Sequence, residues 1–130
     1  MRQPKRANPE ALIQTACAAW CASRNIRIQA SKNGAYSSAR VGAVYKEMGV
    51  QSGFPDLQIL RIGGRGEPGL FVELKAPGRT LKPKQVQWQK DLREEGYVSE
   101  WVTSVDAFKS LVLRYIDGTG PPFEGKVVVE

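Results

Sequence analysis

A chain of 130 residues has room for one hydrophobic core and not for two ordinary domains. With 42% hydrophobic and 25% charged residues, 13 glycines and 8 prolines, it is neither disordered, collagenous nor membrane-embedded. There is no histidine, which excludes histidine-based triads, zinc ligation and acid–base chemistry, and 19 basic against 13 acidic residues leave a net charge of +6.

The opening residues, Met1 to Arg6, are basic with no apolar stretch behind them, so no signal peptide is expected. No run approaches the ~20 apolar residues that cross a bilayer; a cytoplasmic protein without a membrane partner is the expectation. Asn8, Pro9 and Glu10 are an N-cap, a first-turn proline and a dipole-matching acid, and they open a helix to about Arg24. Its buried stripe is predicted to be Leu12, Ile13, Ala16, Cys17, Trp20 and Cys21. Cys17 and Cys21 lie four apart on one helix, unsuited to a disulfide and too few for zinc, and so read as packing residues. A strand over 26–30, a polar loop over 31–38 and a helix over 39–48 ending at Gly49 follow. A hairpin comes next: strand 57–62, a glycine-rich turn 63–69 and strand 70–76. The pattern then predicts a helix over 83–95, a strand over 97–102 and a helix over 106–116. The tail 118–130, with Pro121, Pro122 and Val127 to Val129, receives no assignment. The sum is a single α/β domain, a small mixed β-sheet flanked by helices, with its core at about 9–117. Trp20 and Trp88 fit core-facing helix positions and Trp101 a strand.

Charge is unevenly distributed. Residues 1–90 hold 15 basic and 5 acidic side chains, whereas residues 91–130 hold 4 basic and 8 acidic. A positive front two-thirds suits a polyanion such as DNA, or simply a basic solvated surface. Within it, the hairpin returns the strand that follows Asp56 alongside Glu73 and Lys75. Glu73 and Lys75 are two apart and share a face, while Leu70, Val72 and Leu74 face the core. On a solvated face Glu73 and Lys75 would simply neutralise each other; with Asp56 converging on them, the paired carboxylates suit a hard divalent cation such as Mg²⁺. Lys75 beside them can polarise a water against a phosphate.

The segment Pro55-Asp56 followed by Glu73-Leu74-Lys75 resembles the PD-(D/E)xK nuclease signature. With the early helix around Glu10, the stretch Gly49 to Leu57, Phe71 to Lys75, and Leu81-Lys82-Pro83-Lys84-Gln85 to Trp88 followed by Gly96, the chain resembles the virus-type replication-repair nuclease (VRR-NUC) domain over Pro9 to Phe108. That resemblance implies a restriction-endonuclease-like core of the PD-(D/E)xK type. It implies that Asp56 and Glu73, with the Leu74 carbonyl, hold Mg²⁺ or Mn²⁺, no organic cofactor being needed. It gives Lys75 the task of orienting water or stabilising charge, and Gln85 that of supporting Lys75 or a phosphate. Glu10 would complete the site through a water or a second metal, or else serves only its helix dipole. Lys32, Asn33, Arg40, Arg79, Lys82 and Lys84 are the candidate phosphate contacts. Small stand-alone domains of this kind are typical of phages and resemble homodimers acting on four-way junctions.

The expected function is therefore metal-dependent DNA endonuclease activity, selective for branched DNA. The alternatives are a non-catalytic nucleic-acid-binding module, a nuclease acting on RNA, or one acting only with a partner. Against pure binding, Asp56 and Glu73 would repel the phosphates of a nucleic acid. A homodimer is expected from Val41, Val44, Tyr45 and Met48, which give the helix over 39–48 an apolar stripe, with Val127 to Val129 as a second contact.

Overall fold

The computed structural model describes residues 8–31 and 39–125. Helix α1 (Pro9–Ser23) starts where expected: the Asn8 side chain accepts the Glu10 N–H at 2.8 Å, and Pro9 occupies the first turn. Strand β1 (Ile28–Ala30) and helix α2 (Ala39–Glu47) follow, then the hairpin strands β2 (Leu57–Ile59) and β3 (Leu70–Leu74). Helix α3 (Pro83–Glu94), strand β4 (Val98–Val102) and helix α4 (Val105–Asp117) complete the order. The four strands form one mixed sheet in the order β1-β2-β3-β4, antiparallel except for the parallel β3–β4 pair that α3 connects. The expected α/β sandwich of a small mixed sheet and flanking helices is what forms.

Alternation along β3 builds two packed faces. Leu70, Val72 and Leu74 join Leu57, Ile59, Val98 and Val102 against Cys17 and Cys21 of α1 and Phe108, Val112 and Tyr115 of α4. Phe71 and Glu73 point the other way, where Phe71 meets Phe54 and Tyr97 edge-on at 5.5 and 5.2 Å. Both faces of β3 are thus covered, and its central acid is withdrawn from water. The two cysteines are free and buried, and desolvation pushes both thiols up to about 11, as suits packing residues.

The hairpin strands are shorter than expected because the tip is pinned elsewhere. The Tyr115 hydroxyl donates to the carbonyls of Arg61 and Glu67, and the Gly64 N–H donates to the Tyr115 carbonyl. The tip therefore packs on the C-terminal end of α4 instead of continuing the ladder. One other expectation is corrected. Leu12 is 58% exposed and Ala16 also faces solvent, so α1 buries a narrower stripe centred on Cys17 and Cys21. Residues 118–125 run back along α4, with the Arg114 guanidinium over the Phe123 ring at 4.0 Å and Glu124 paired to Arg93 at 3.0 Å. Val127 to Val129 lie outside the described residues.

A Cβ on Gly64 would come to 2.6 Å from the Asp117 carbonyl carbon and the Ile116 oxygen, both backbone atoms. Gly64→Ala is therefore expected to destabilise the domain by about 1–3 kcal/mol, the usual range for overpacking. Urea unfolding checks it; an unchanged midpoint would mean that the tip does not bear on α4.

Candidate active site

Cross-strand register brings the acids together. Leu57 pairs with Val72, so one further step places Asp56 opposite Glu73 just where β2 begins. From the other side Ser31 fixes this corner: its N–H donates to the Asp56 carbonyl at 2.9 Å and its hydroxyl to the Pro55 carbonyl at 2.7 Å. Asp56 Oδ2 accepts the Leu74 N–H at 2.7 Å, replacing a ladder bond that β2 is too short to make. Leu74, the expected carbonyl ligand, is thus tied to Asp56 through its own N–H.

Glu73 is 8% and Lys75 5% exposed. One oxygen of Glu73 accepts from Gln85 Nε2 at 2.9 Å; the other, Oε2, is buried and has no hydrogen-bond partner. Gln85 cannot flip away, because its own oxygen accepts the Lys82 N–H at 2.8 Å at the start of α3. The structure thus places the Gln85 amide against Glu73, within the carboxylate site. Glu10, half-buried in the first turn of α1, accepts the Ala76 N–H at 3.3 Å just past β3. It borders the site, bonded to the backbone beside it. Among the described residues no three acidic or thiol side chains converge on one point as a metal cage.

Burial raises both carboxyls, and for Glu73 the Asp56 charge adds to it. Glu73 is pushed up to about 8, first by desolvation and then by the Asp56 charge. Asp56 also lies above its ordinary value, chiefly by desolvation and with the Glu10 charge adding to it, while the Leu74 N–H, Glu73 and Lys75 act in the opposite direction. Without a cation the pair does best when protonated. Two carboxylates, one with an orphaned buried oxygen, fit a divalent ion such as Mg²⁺, which is content with one or two protein carboxylates and several waters.

Of the expected phosphate contacts, Lys82 and Lys84 stand in the first turn of α3 beside Gln85, and Arg79 in the preceding turn, all three exposed. Arg40 is exposed on the first turn of α2. Lys32 and Asn33 lie outside the described residues. Ser31 and Ser52 went unnoticed in the sequence: Ser31 as the clamp on Asp56, and Ser52 as the partner of Lys84 Nζ at 3.0 Å and, through its carbonyl, of Trp88 Nε1 at 3.2 Å. The capping position of Gln85, three residues into the helix from Lys82, was the one available signal for its fixed amide. Trp88 meets Phe54 edge-on at 4.9 Å and remains half-buried, not a core residue.

The family profile of the VRR-NUC domain matches residues 8–106. A solved "VRR_NUC domain protein" superposes with a TM-score of 0.72 at 26% identity, over 86% of this chain and 91% of that one. A second solved structure, a "VRR_NUC domain", has the same fold, with a TM-score of 0.57 at 22% identity over 84% and 99% of the two chains. No match was found among curated proteins.

The raised carboxyls predict a pH signature. The folded state holds the Glu73 proton more tightly than the unfolded chain, whose value is near 4.5, so this stabilisation is complete below about 4.5 and lost as pH rises toward about 8. Thermal unfolding in chelator is expected to show Tm falling across that window, and Glu73→Gln should flatten the fall. Added Mn²⁺ must displace the proton, so its apparent Kd should tighten about tenfold per pH unit up to about 8, by calorimetry. A pH-independent Kd would separate the ion from these carboxyls.

Proposed function

This chain belongs to the VRR-NUC domain family, a nuclease-type domain, and from that premise we propose that it is a divalent-metal-dependent DNA endonuclease selective for branched DNA. The observation that carries the proposal is the close pair of half-buried Asp56 and buried Glu73, with an orphaned oxygen on Glu73 and buried Lys75 beside it. A purely structural site would not keep two carboxyls short of positive charge, and a purely binding one would not set them in the path of phosphates.

Asp56 and Glu73 would hold Mg²⁺ or Mn²⁺; such an ion supplies a water of lowered pKa and stabilises charge gathering on the phosphate. The remaining work belongs to the chain. Lys75, two residues beyond Glu73 on the same face, donates to the attacking water or to a non-bridging phosphate oxygen. Water adds to phosphorus as the phosphodiester P–O bond breaks, and the departing oxygen takes up a proton. Gln85 keeps the Glu73 carboxylate from rotating, and the Leu74 N–H does the same for Asp56. Lys82, Lys84, Arg79 and Arg40 supply positive charge along the approach, consistent with the basic bias of residues 1–90. Glu10 steadies the backbone at Ala76, directly after Lys75.

Two cuts on a branched substrate need two such centres, and a twofold dimer provides them. Helix α2 supports that assembly: Val44 is 50% exposed and Met48, just past its end, 72%, so part of the apolar stripe expected there faces outward. Val41 and Tyr45 are only partly exposed. Among the described residues no helix is long and apolar enough to cross a membrane.

With Mn²⁺ and labelled duplex, flap and four-way-junction DNA, cleavage is expected and EDTA should abolish it. Asp56→Ala and Glu73→Ala should each lose at least about a hundredfold in rate while binding DNA as tightly or more so. Lys75→Met should retain metal binding and lose cleavage to a similar extent. Near-normal turnover by any of the three overturns its assigned role, and cleavage of RNA in place of DNA overturns the substrate.

The assembly is checked by light scattering over a range of concentrations. A mass of twice 14.4 kDa is expected, reduced toward 14.4 kDa by Val44→Lys with Met48→Lys. A mass of 14.4 kDa throughout removes the dimer and leaves the metal site untouched.

A further inference from the structure

Between the end of α2 and one flank of α3 lies a cavity of about 560 Å³. That is within the ~300–1,000 Å³ range of small-ligand sites. One wall is a stripe of α3 at helical spacing, Lys84, Gln87, Trp88 and Asp91; Lys46 of α2, Gln51 and Ser52 close the other side.

Each wall is chemically committed. The Trp88 indole is held by its N–H on the Ser52 carbonyl at 3.2 Å and by the edge contact with Phe54, and it stays half-buried, a fixed aromatic surface. Gln87 Nε2 donates to Asp91 Oδ1 at 2.8 Å. That bond occupies the Gln87 nitrogen and not its oxygen, so this wall carries oxygen acceptors: a carboxylate and an amide carbonyl. Lys46 and Lys84 add two cations, Lys84 being steadied by the Ser52 hydroxyl at 3.0 Å. An aromatic plane, acceptors for an exocyclic amine and ammonium groups for a phosphate together match a nucleotide.

The cavity shares a helix turn and a loop with the carboxylates. Lys84 faces it, while the next residue, Gln85, holds Glu73; Ser52 lines it, four residues before Asp56. We propose that this cavity takes one unpaired nucleotide of the substrate strand next to the phosphate being cut, with cytosine or adenine preferred over thymine. The proposal rests on the nuclease reading above, and it names what that site selects: a base must leave its stack to enter, so DNA with unpaired positions at the branch is favoured over continuous duplex. Cytosine and adenine carry the exocyclic amine that Asp91 and Gln87 accept; thymine offers a carbonyl there, which the carboxylate repels.

The test is made in EDTA, with no turnover, by following the ¹⁵N-indole signals on titration with single-stranded decamers of dC, dA or dT; Trp88→Phe identifies the Trp88 signal. The Trp88 resonance is expected to move, with roughly fivefold or tighter binding of dC and dA than dT. Asp91→Asn should erase that preference, because an amide also donates, and Lys46→Ala should weaken all three alike. A Trp88 signal that stays still at saturation, or equal affinities for the three decamers, overturns the pocket. Cleavage with Mn²⁺ is measured separately on the same sequences. Cutting with a silent Trp88 overturns the pocket alone, whereas a responsive Trp88 without cutting supports the nucleotide site and overturns the nuclease reading.

Discussion

The structure turns on the enforced nearness of two carboxyls. Asp56 and Glu73 face each other because the β2–β3 register leaves them no choice, and burial then denies them the water that would screen their repulsion. Around them the chain spends its polar groups on holding position. Ser31 grips the Pro55–Asp56 backbone, the Leu74 N–H takes one Asp56 oxygen and Gln85 takes one Glu73 oxygen. What these bonds do not supply is charge, and one Glu73 oxygen is left with no partner. Rigid geometry with a deficit of positive charge is the arrangement that the proposed divalent ion would complete.

The layers explain how such a site survives in a domain of this size. The large apolar core lies on one face of the sheet, where α1 and α4 pack over Leu70, Val72 and Leu74. The opposite face of β3 belongs to Phe71, Glu73 and α3, so the acid sits at the rim of a smaller aromatic cluster of Phe54, Phe71, Tyr97 and Trp88. The main core can therefore stabilise the fold without depending on how the carboxyls are protonated.

Much of this was legible in the sequence. The glycine-rich stretch Gly63 to Gly69 between alternating segments fixed the hairpin, and the hairpin put Asp56 opposite Glu73. Asn8 and Pro83 announced helix starts that the structure bears out through a cap and a first-turn proline. Periodicity failed where it had to name the covering partner. Leu12 and Ala16 are in phase with Cys17 and Cys21, yet α4 covers only part of α1. Nor could a pattern of apolar residues say that α3 covers the second face of β3, which decides whether Glu73 meets water or Gln85. Trp88 was placed in the core because an aromatic residue at helical spacing usually belongs there, whereas Ser52 and Phe54 hold it at an edge. Long-range hydrogen bonds such as Ser31 to Pro55 leave no mark in local sequence at all.

The first turns of α3 tie these parts into one device. Successive residues on a helix point about 100° apart, so Gln85 reaches inward to Glu73 while Lys84 reaches across to Ser52. The loop that carries Asp56 leans on the same turn: at Gly53, φ is +83° and a Cβ would lie 2.8 Å from the Lys84 Cβ. Only glycine permits that approach, because both the left-handed backbone and the contact exclude a side chain. Asp56 and Glu73 are thereby referenced to the same segment of backbone from opposite sides, one through the loop and one through an amide. A displacement of α3 relative to the sheet would move both carboxyls, and the cavity wall of Lys84, Gln87, Trp88 and Asp91 with them. Any occupant of the cavity would rest on the same turn of α3 whose Gln85 holds Glu73.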